Sequence, residues 1–166
     1  MTDGLLDGPK HGYALKKRID VLTGHGAMHN NLVYPLLKRF VAAGWVSRRR
    51  AAGERGQTRA VYSLTEKGKR ELLARLVAFT EKEASSGDAF RLRVGLFGVL
   101  QANARGEILR RREKWLAARA ASLAVIAGKM PMDGWGEETV GFLRNQVEAE
   151  RKWLERLRKT EKTARP

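Results

Sequence analysis

The densest group of chemically active side chains in the sequence is a cationic segment between residues 48 and 67. Guanidinium and ammonium groups bind phosphate through charge-assisted hydrogen bonds, so the chemistry expected here is the binding of a polyanion. The segment holds six cations against only two carboxylates, Glu54 and Glu66; the cations are Arg48, Arg49, Arg50, Arg55, Arg59 and Lys67.

Catalytic chemistry is not indicated by the sequence. The chain has no Cys, which excludes a disulfide, a thiolate nucleophile and a Cys-ligated metal. Ser, His and carboxylate residues do not recur in a nucleophile-like setting, and no glycine pattern suits a phosphate loop. His25 and His29 have the spacing of a helical metal pair, but a third ligand is missing and Gly26 weakens the helix. We therefore predict no enzyme, cofactor or metal site.

Composition points to a polyanionic partner. The chain has 166 residues, 43% of them hydrophobic, and a net charge of +15. This length suits one domain or a small domain with an appendage, and the charge suits DNA, RNA or an acidic membrane face. No apolar run approaches the roughly 18 residues of a spanning helix. We expect a cytoplasmic protein without a membrane partner.

The first half of the sequence predicts two helices followed by a strand pair. Apolar residues at helical intervals predict a helix from Lys10 onward and a second one capped by Asn30 or Asn31 and ended by Gly44. With Asn31 as the cap, Pro35 falls at the end of the first turn, where its missing N–H costs little. The apolar side of the second helix would comprise Leu32, Val33, Leu36, Leu37, Phe40 and Val41.

A two-stranded ribbon is expected next. Strands at Trp45–Arg48 and Arg59–Leu64 flank a charged loop with two glycines over residues 52–58. Period two places Tyr62 and Leu64 over a core, with Val61 and Ser63 pointing away. Thr65 is a good N-cap for the helix that follows.

The second half of the sequence is helical in pattern. A short helix is predicted over residues 90–100 and long ones over 107–127 and 139–157, the last with heptad-like steps broken by Glu150. Ser85 to Asp88 marks a boundary. We predict a mainly α fold with a small β-ribbon, in which residues 1–83 form a winged helix-turn-helix domain and residues 88–166 an α-helical domain.

The order helix, helix, ribbon, helix is that of a winged helix-turn-helix, whose second helix enters the DNA major groove while the ribbon lies along the flank. Lys10 and His11, at the start of the first helix, would offer free N–H groups to a phosphate. Tyr34 could instead be partly core, Arg39 could form a surface ion pair, and Arg48 and Arg50 face opposite to Arg49 in a strand. The predicted DNA-binding residues are Lys10, His11, Asn30, Asn31, Tyr34, Lys38, Arg39, Arg48, Arg50, Arg55, Gln57, Thr58 and Arg59.

Three motifs in order carry a family resemblance. Residues 8–18 (GPKHGYALKKR), residues 33–46 (VYPLLKRF followed by GWV) and residues 62–68 (YSLTEKG) resemble the opening, recognition helix and wing exit of PadR-family transcriptional regulators. The tail is similar to the helical dimerisation domain of the longer members. The resemblance implies a homodimeric repressor that binds double-stranded DNA at an inverted repeat.

The resemblance also implies release from DNA by a small aromatic or drug-like effector. Trp115 and Trp153 lie on the two long helices and could stack a flat ligand, or could simply pack. A second interpretation of the whole chain remains: a protein-interaction module or a nonspecific nucleic-acid binder without an effector.

Overall fold

A computed structural model describes residues 10–11, 30–52 and 58–163, with side chains for residues 33–51 and 60–163. These parts of the chain are mainly helical with one small sheet, which confirms the predicted fold class. In chain order the described elements are β1 (Lys10–His11), α1 (Asn30–Ala42), β2 (Val46–Ala52), β3 (Thr58–Leu64), α2 (Glu66–Val77), α3 (Glu81–Ser85), α4 (Gly87–Gly95), a 3-10 turn (Phe97–Val99), α5 (Ala102–Lys129) and α6 (Gly134–Thr163).

The sheet is antiparallel, with strand order β1-β3-β2. β2 pairs with β3 from Val46 opposite Leu64 to Ala52 opposite Thr58. This strand is longer than predicted, because the three consecutive arginines continue the ladder instead of starting the loop. The backbone of residues 48–50 therefore has a fixed register opposite residues 60–62 of β3.

Lys10 and His11 do not begin a helix, so that prediction is wrong. They form β1, which pairs with Tyr62 and Val61 of β3 and covers an edge that would otherwise be open. Their backbone groups belong to a sheet ladder, and a phosphate site at a helix start is excluded for these two residues. The rest of the predicted first helix, the His25 and His29 pair, Arg55 and Gln57 lie outside the described residues.

Helix α1 begins at Asn30, which is earlier than a cap at either Asn30 or Asn31 would place its first helical residue. Asn30 and Asn31 are both helical, so neither is the non-helical cap, and Pro35 lies inside the helix beyond the first turn. Pro35 has no N–H for the Asn31 carbonyl, which costs one hydrogen bond of the helix. Gly44 follows the helix with φ of 71°, a left-handed conformation that glycine adopts without strain and that ends a helix.

The core of the first unit joins α1 to the sheet. Val33 and Leu37, one turn apart on α1, form a buried cluster with Val46 and Tyr62. Partly buried Ala60 and Leu64 pack against this cluster, as the predicted strand alternation requires. Val61, predicted to point away, lies on the other face of β3 but is also buried.

The chain divides into two compact units at different residues from the predicted boundary. The N-terminal unit comprises the described residues up to Ala78 together with 88–100, and the C-terminal unit comprises 79–87 and 101–166. Helix α4 belongs to the first unit because buried Arg93 donates to the carbonyls of Leu76 (3.2 Å) and Arg75 (3.4 Å) at the end of α2. Residues 79–87 belong to the second unit, where Arg112 donates to the Ala84 carbonyl at 2.6 Å.

Helices α5 and α6 form an antiparallel hairpin, with α3 packed on α5. Its seam contains Leu109, Leu116 and Leu123 from α5 and Val147 and Leu154 from α6, which confirms the predicted apolar spacing. Both helices are longer than predicted, because α5 extends over Ala102–Lys129 and α6 over Gly134–Thr163.

Two polar residues interrupt this seam and pair with each other. Arg112, three residues after Leu109, donates two hydrogen bonds to Glu150, at 2.8 and 2.7 Å. The Arg112 side chain is only 4% exposed and that of Glu150 18%. Glu150, which breaks the heptad pattern in the sequence, is thus the partner of a buried guanidinium. No helix in the described part of the chain is long and apolar enough to cross a membrane.

Candidate nucleic-acid interface

The side of α1 opposite the core carries a tyrosine and two cations. Val33 and Leu37 face the core, and the residues that follow each of them, Tyr34 and Lys38, point away from it, with Tyr34 50% exposed. Arg39 is exposed beside Lys38. Tyr34 and Lys38 are four residues apart and lie one turn from each other along this side. The alternative that Tyr34 is partly core is not supported.

Strand β2 carries the other group of cations. Arg48 lies opposite Tyr62 and Arg50 opposite Ala60, so both belong to the sheet face that packs on α1. Arg49 lies opposite Val61 on the other face. All three arginines are exposed. Two of the three therefore share a side of the sheet with the recognition-helix candidate.

These five cations are available to an external anion. Among the residues that the structure describes, Lys38, Arg39 and the arginines at 48–50 form no ion pair. In the C-terminal unit, by contrast, Arg105, Arg112 and Arg158 pair with glutamates of the facing elements. The positive charge of α1 and β2 is therefore not neutralised by the surrounding described residues.

A set of contacts that we call the clasp fixes the exit of α1 against the start of α2. The Thr65 hydroxyl lies 2.7 Å from the Gly44 carbonyl and accepts from the Gly68 N–H at 3.0 Å. The Thr65 N–H donates to the Trp45 carbonyl at 3.0 Å, and the Lys67 ammonium donates to the Ala43 carbonyl at 2.9 Å. The predicted N-cap role of Thr65 is confirmed.

Gly68 and Trp45 complete the clasp. A Cβ on Gly68 would lie 2.0 Å from the Trp45 carbonyl oxygen, so α2 can approach this closely only with glycine at position 68. The Trp45 ring contacts Phe40 at 5.6 Å between centroids, and the Arg75 guanidinium lies 4.9 Å from the Trp45 ring centre. Sequence reasoning identified the Thr65 cap but missed the rest, because most of these contacts join residues twenty or more positions apart.

The remaining predicted contacts are described only through their backbone. Thr58 pairs with Ala52 and Arg59 with Ala51 at the loop end of the ribbon. Asn30 and Asn31 form the first turn of α1. The structure thus brings Tyr34, Lys38, Arg39, Arg48 and Arg50 onto one unit, with Thr58 and Arg59 on the adjoining strand.

The two tryptophans proposed for an effector differ in their surroundings. Trp115 lines a groove of about 420 Å³ with Ala84, Lys114 and Ala118, while Trp153 is not among the groove residues. The Arg112 guanidinium stacks on the Trp115 ring at 4.4 Å from its centre. At the rim, hydrogen bonds from Arg111 and Arg110 lower the pKa of the Glu107 carboxyl, which is therefore ionised at neutral pH.

A helix packed on an antiparallel ribbon, with a further helix capped at the ribbon's exit, defines a winged helix-turn-helix domain, a class of DNA-binding fold. Residues 4–74 match the model of the transcriptional regulator PadR-like family. Over this segment, which includes α1 and the whole sheet, the chain belongs to the PadR-like family. A comparison with curated proteins finds no match.

Several solved structures are similar to the chain. A Thermoplasma acidophilum protein described as a transcriptional regulator is 32% identical, over 43% of this chain and 67% of its own, with a TM-score of 0.39. Bacillus subtilis PadR in complex with operator DNA is 19% identical, over 95% of this chain and 94% of its own, with a TM-score of 0.45. The same protein in complex with p-coumaric acid is 19% identical, over 95% of this chain and 94% of its own, with a TM-score of 0.41. Since these TM-scores are below 0.5, the family assignment rests on the sequence match.

Proposed function

We propose that the chain is a sequence-specific DNA-binding repressor that acts as a homodimer on an inverted-repeat operator. The observation that carries this proposal is the exposed group of Tyr34, Lys38, Arg39, Arg48 and Arg50 on a winged helix-turn-helix unit, in which the four cations form no ion pair with a described residue. A regulator of this kind works on chromosomal DNA, which places it in the cytoplasm.

In this proposal α1 enters the major groove, which is about 12 Å wide and admits a helix. Tyr34 and Lys38 then face the groove or its phosphates, while Arg48 and Arg50 reach the flanking backbone. Phosphate contacts supply much of the affinity, and base contacts the sequence preference. Lys10 and His11 would contact DNA as residues of strand β1. The proposed DNA contacts are Lys10, His11, Asn30, Asn31, Tyr34, Lys38, Arg39, Arg48, Arg50, Arg55, Gln57, Thr58 and Arg59.

An inverted-repeat operator has two equivalent half-sites, so the proposed DNA-binding species is a homodimer. A two-fold axis relating two protomers places two copies of α1 on the same side of the duplex about one turn, roughly 34 Å, apart. The helical C-terminal unit is the part of the chain proposed to hold the protomers together.

A small aromatic or drug-like effector is proposed to bind at Trp115, with Trp153 as the second candidate. The groove beside Trp115 is within the size range of ligand pockets, roughly 300–1,000 Å³. Its rim has the cations Arg110, Arg111 and Lys114 and the carboxylates Glu81 and Glu107. An effector can release DNA only if it prefers one dimer geometry over the other.

Selection from a library of random duplexes at physiological salt tests the proposal on the full chain. We expect enrichment of an inverted repeat, with half-sites one helical turn apart and discrimination on the order of a thousandfold over random duplex. Equal affinity for all duplexes would overturn it and leave a nonspecific nucleic-acid binder. No duplex binding at all would leave a protein-interaction module.

A further inference from the structure

We propose that Pro35 is a specificity-determining residue, whose ring contacts the C5 methyl group of a thymine in each half-site of the operator. The inference rests on the proposed function, because it requires that α1 enter the major groove. Pro35 is not among the DNA contacts of the proposed function, and the inference gives it a role in reading one base.

Pro35 lies on the side of α1 that points directly away from the core. Successive helix residues are about 100° apart, so Pro35 lies about 160° around the helix from both Val33 and Leu37, the two residues of α1 in the buried cluster. Pro35 is exposed. Because the opposite side of α1 packs on the sheet, this side is the one that would reach farthest into a groove.

The position of Pro35 within the helix has a cost that folding does not explain. Helix α1 begins at Asn30, so Pro35 is its sixth residue. Proline at the first helical position loses nothing, because the N–H there has no partner within the helix. At the sixth position the bond to the Asn31 carbonyl is lost, and proline is disfavoured. Since Pro35 is exposed, burial in the core does not offset this loss, which indicates a role outside the fold.

Pro35 is the apolar member of an otherwise cationic group. Lys38 and Arg39 follow it by three and four residues, so both lie about one turn further along the same side of α1. Both cations are exposed and form no ion pair with a described residue. They can bind phosphates or guanine, whereas the proline ring offers no hydrogen-bonding group. The outward side of α1 therefore suits a polar groove that contains one apolar group.

Thymine supplies the apolar group that suits this position. In the major groove all four bases present hydrogen-bonding groups, and thymine alone adds a methyl group at C5. A proline ring can discriminate among the bases only by apolar contact, which removes the ring and the methyl group from water. The N-terminal residues of a recognition helix are those that contact base edges. Pro35 lies in the N-terminal half of α1.

Replacement of thymine by deoxyuridine tests the contact, because it removes the methyl group and leaves the hydrogen-bonding groups of the base pair in place. In the operator obtained by selection, each thymine is replaced in turn, and the affinity of the full chain is measured by fluorescence anisotropy. We expect one thymine in each half-site at which loss of the methyl group weakens binding about fourfold, the effect typical of one buried methyl-sized group.

Pro35→Ser shows whether Pro35 is the residue in contact. Serine restores the backbone N–H, so the variant should fold, and circular dichroism should show retained helix content. It should bind the thymine and deoxyuridine operators equally well, with the affinity that wild type has for the deoxyuridine operator. A purely structural role would lower both affinities and leave the fourfold difference unchanged. Ala42→Ser is the matched control, because Ala42 is an exposed residue at the other end of α1, and it should keep the difference.

The outcomes separate this inference from the proposed function. An enriched inverted repeat without a methyl-sensitive thymine in its half-sites overturns the role of Pro35 and leaves DNA recognition intact. The role of Pro35 is equally overturned if Pro35→Ser keeps the fourfold difference, or if Ala42→Ser also loses it. If selection enriches no repeat, both the proposed function and the role of Pro35 are refuted.

Discussion

At the scale of single residues, what matters for Lys38 and Arg48 is that both are exposed and neither forms an ion pair with a described residue. When such a cation binds a phosphate, it breaks no ion pair with a described residue, so the free-energy cost of binding is small. Arg110 and Arg111 differ, since both already bind the Glu107 carboxylate.

Substitution of Lys38 or Arg48 by Ala should weaken binding to every duplex by a similar factor. Each phosphate contact releases counterions, so the slope of log affinity against log salt should decrease by about 1 for each substitution. Fluorescence anisotropy titrations at several salt concentrations measure both quantities.

Lys152→Ala is the control for this pair, because it removes the same charge from an exposed position of α6. Its slope should equal that of the wild-type chain. If all three variants change the slope equally, binding responds to net charge alone and the contact assignment to α1 and β2 is wrong.

The exposed sides of α1 and β2 could be predicted from the sequence, and the pairing of their charges could not. Period 3.6 around Val33 and Leu37 places Tyr34 and Lys38 outward, and period two separates Arg49 from its neighbours. Whether a cation meets a carboxylate depends on residues far along the chain. Arg112 shows this, because its sequence neighbours Arg111 and Glu113 suggest a solvated position, whereas its partner is Glu150.

At the scale of elements, the clasp sets the path of the chain from α1 through the sheet to α2. The close approach at Gly68 leaves no room for a side chain, and the neighbouring atoms are backbone atoms of Trp45. Those atoms are themselves fixed by the hydrogen bond from the Thr65 N–H.

Gly68→Ala should therefore destabilise the N-terminal unit by roughly 1–3 kcal/mol, the cost typical of an overpacked site. Gly106→Ala in α5 is a matched control, since its Cβ would meet nothing within 4 Å. Alanine has the higher helix propensity, so the control should gain up to about 1 kcal/mol. Thermal melts of the two variants should shift Tm in opposite directions, and equal shifts would contradict the close contact at Trp45.

Elements that depend on residues close in sequence could be predicted, whereas elements that depend on distant residues could not. The long helices follow from apolar spacing within each helix, and the ribbon follows from alternation and a glycine-containing loop. β1 was missed because a two-residue strand is formed by its pairing with Val61 and Tyr62, about fifty residues later. The early start of α1 was missed because Pro35 suggested a later one, although the helix tolerates the lost hydrogen bond.

At the scale of the whole molecule, each of the two compact units contains one buried arginine that binds separate segments of the chain to each other. Arg93 binds carbonyls at the end of α2, and Arg112 binds the Ala84 carbonyl and Glu150. Sequence composition around residues 85–88 suggested one boundary there. The actual division interleaves the segments, because hydrogen bonds from Arg93 hold residues 88–100 with the N-terminal unit.

Arg112→Met should destabilise the C-terminal unit by roughly 3–5 kcal/mol, because it leaves Glu150 unpaired in a buried seam. The double variant Arg112→Met with Glu150→Leu removes both charges and should recover most of that loss, since apolar residues suit the seam between Leu109 and Leu116. Arg158→Met is the control: the Arg158–Glu113 pair is 35% and 40% exposed, and such pairs contribute about 1 kcal/mol or less. Urea denaturation measures all three, and a double variant as unstable as Arg112→Met would show that Arg112 acts through Ala84 and Trp115 instead of through Glu150.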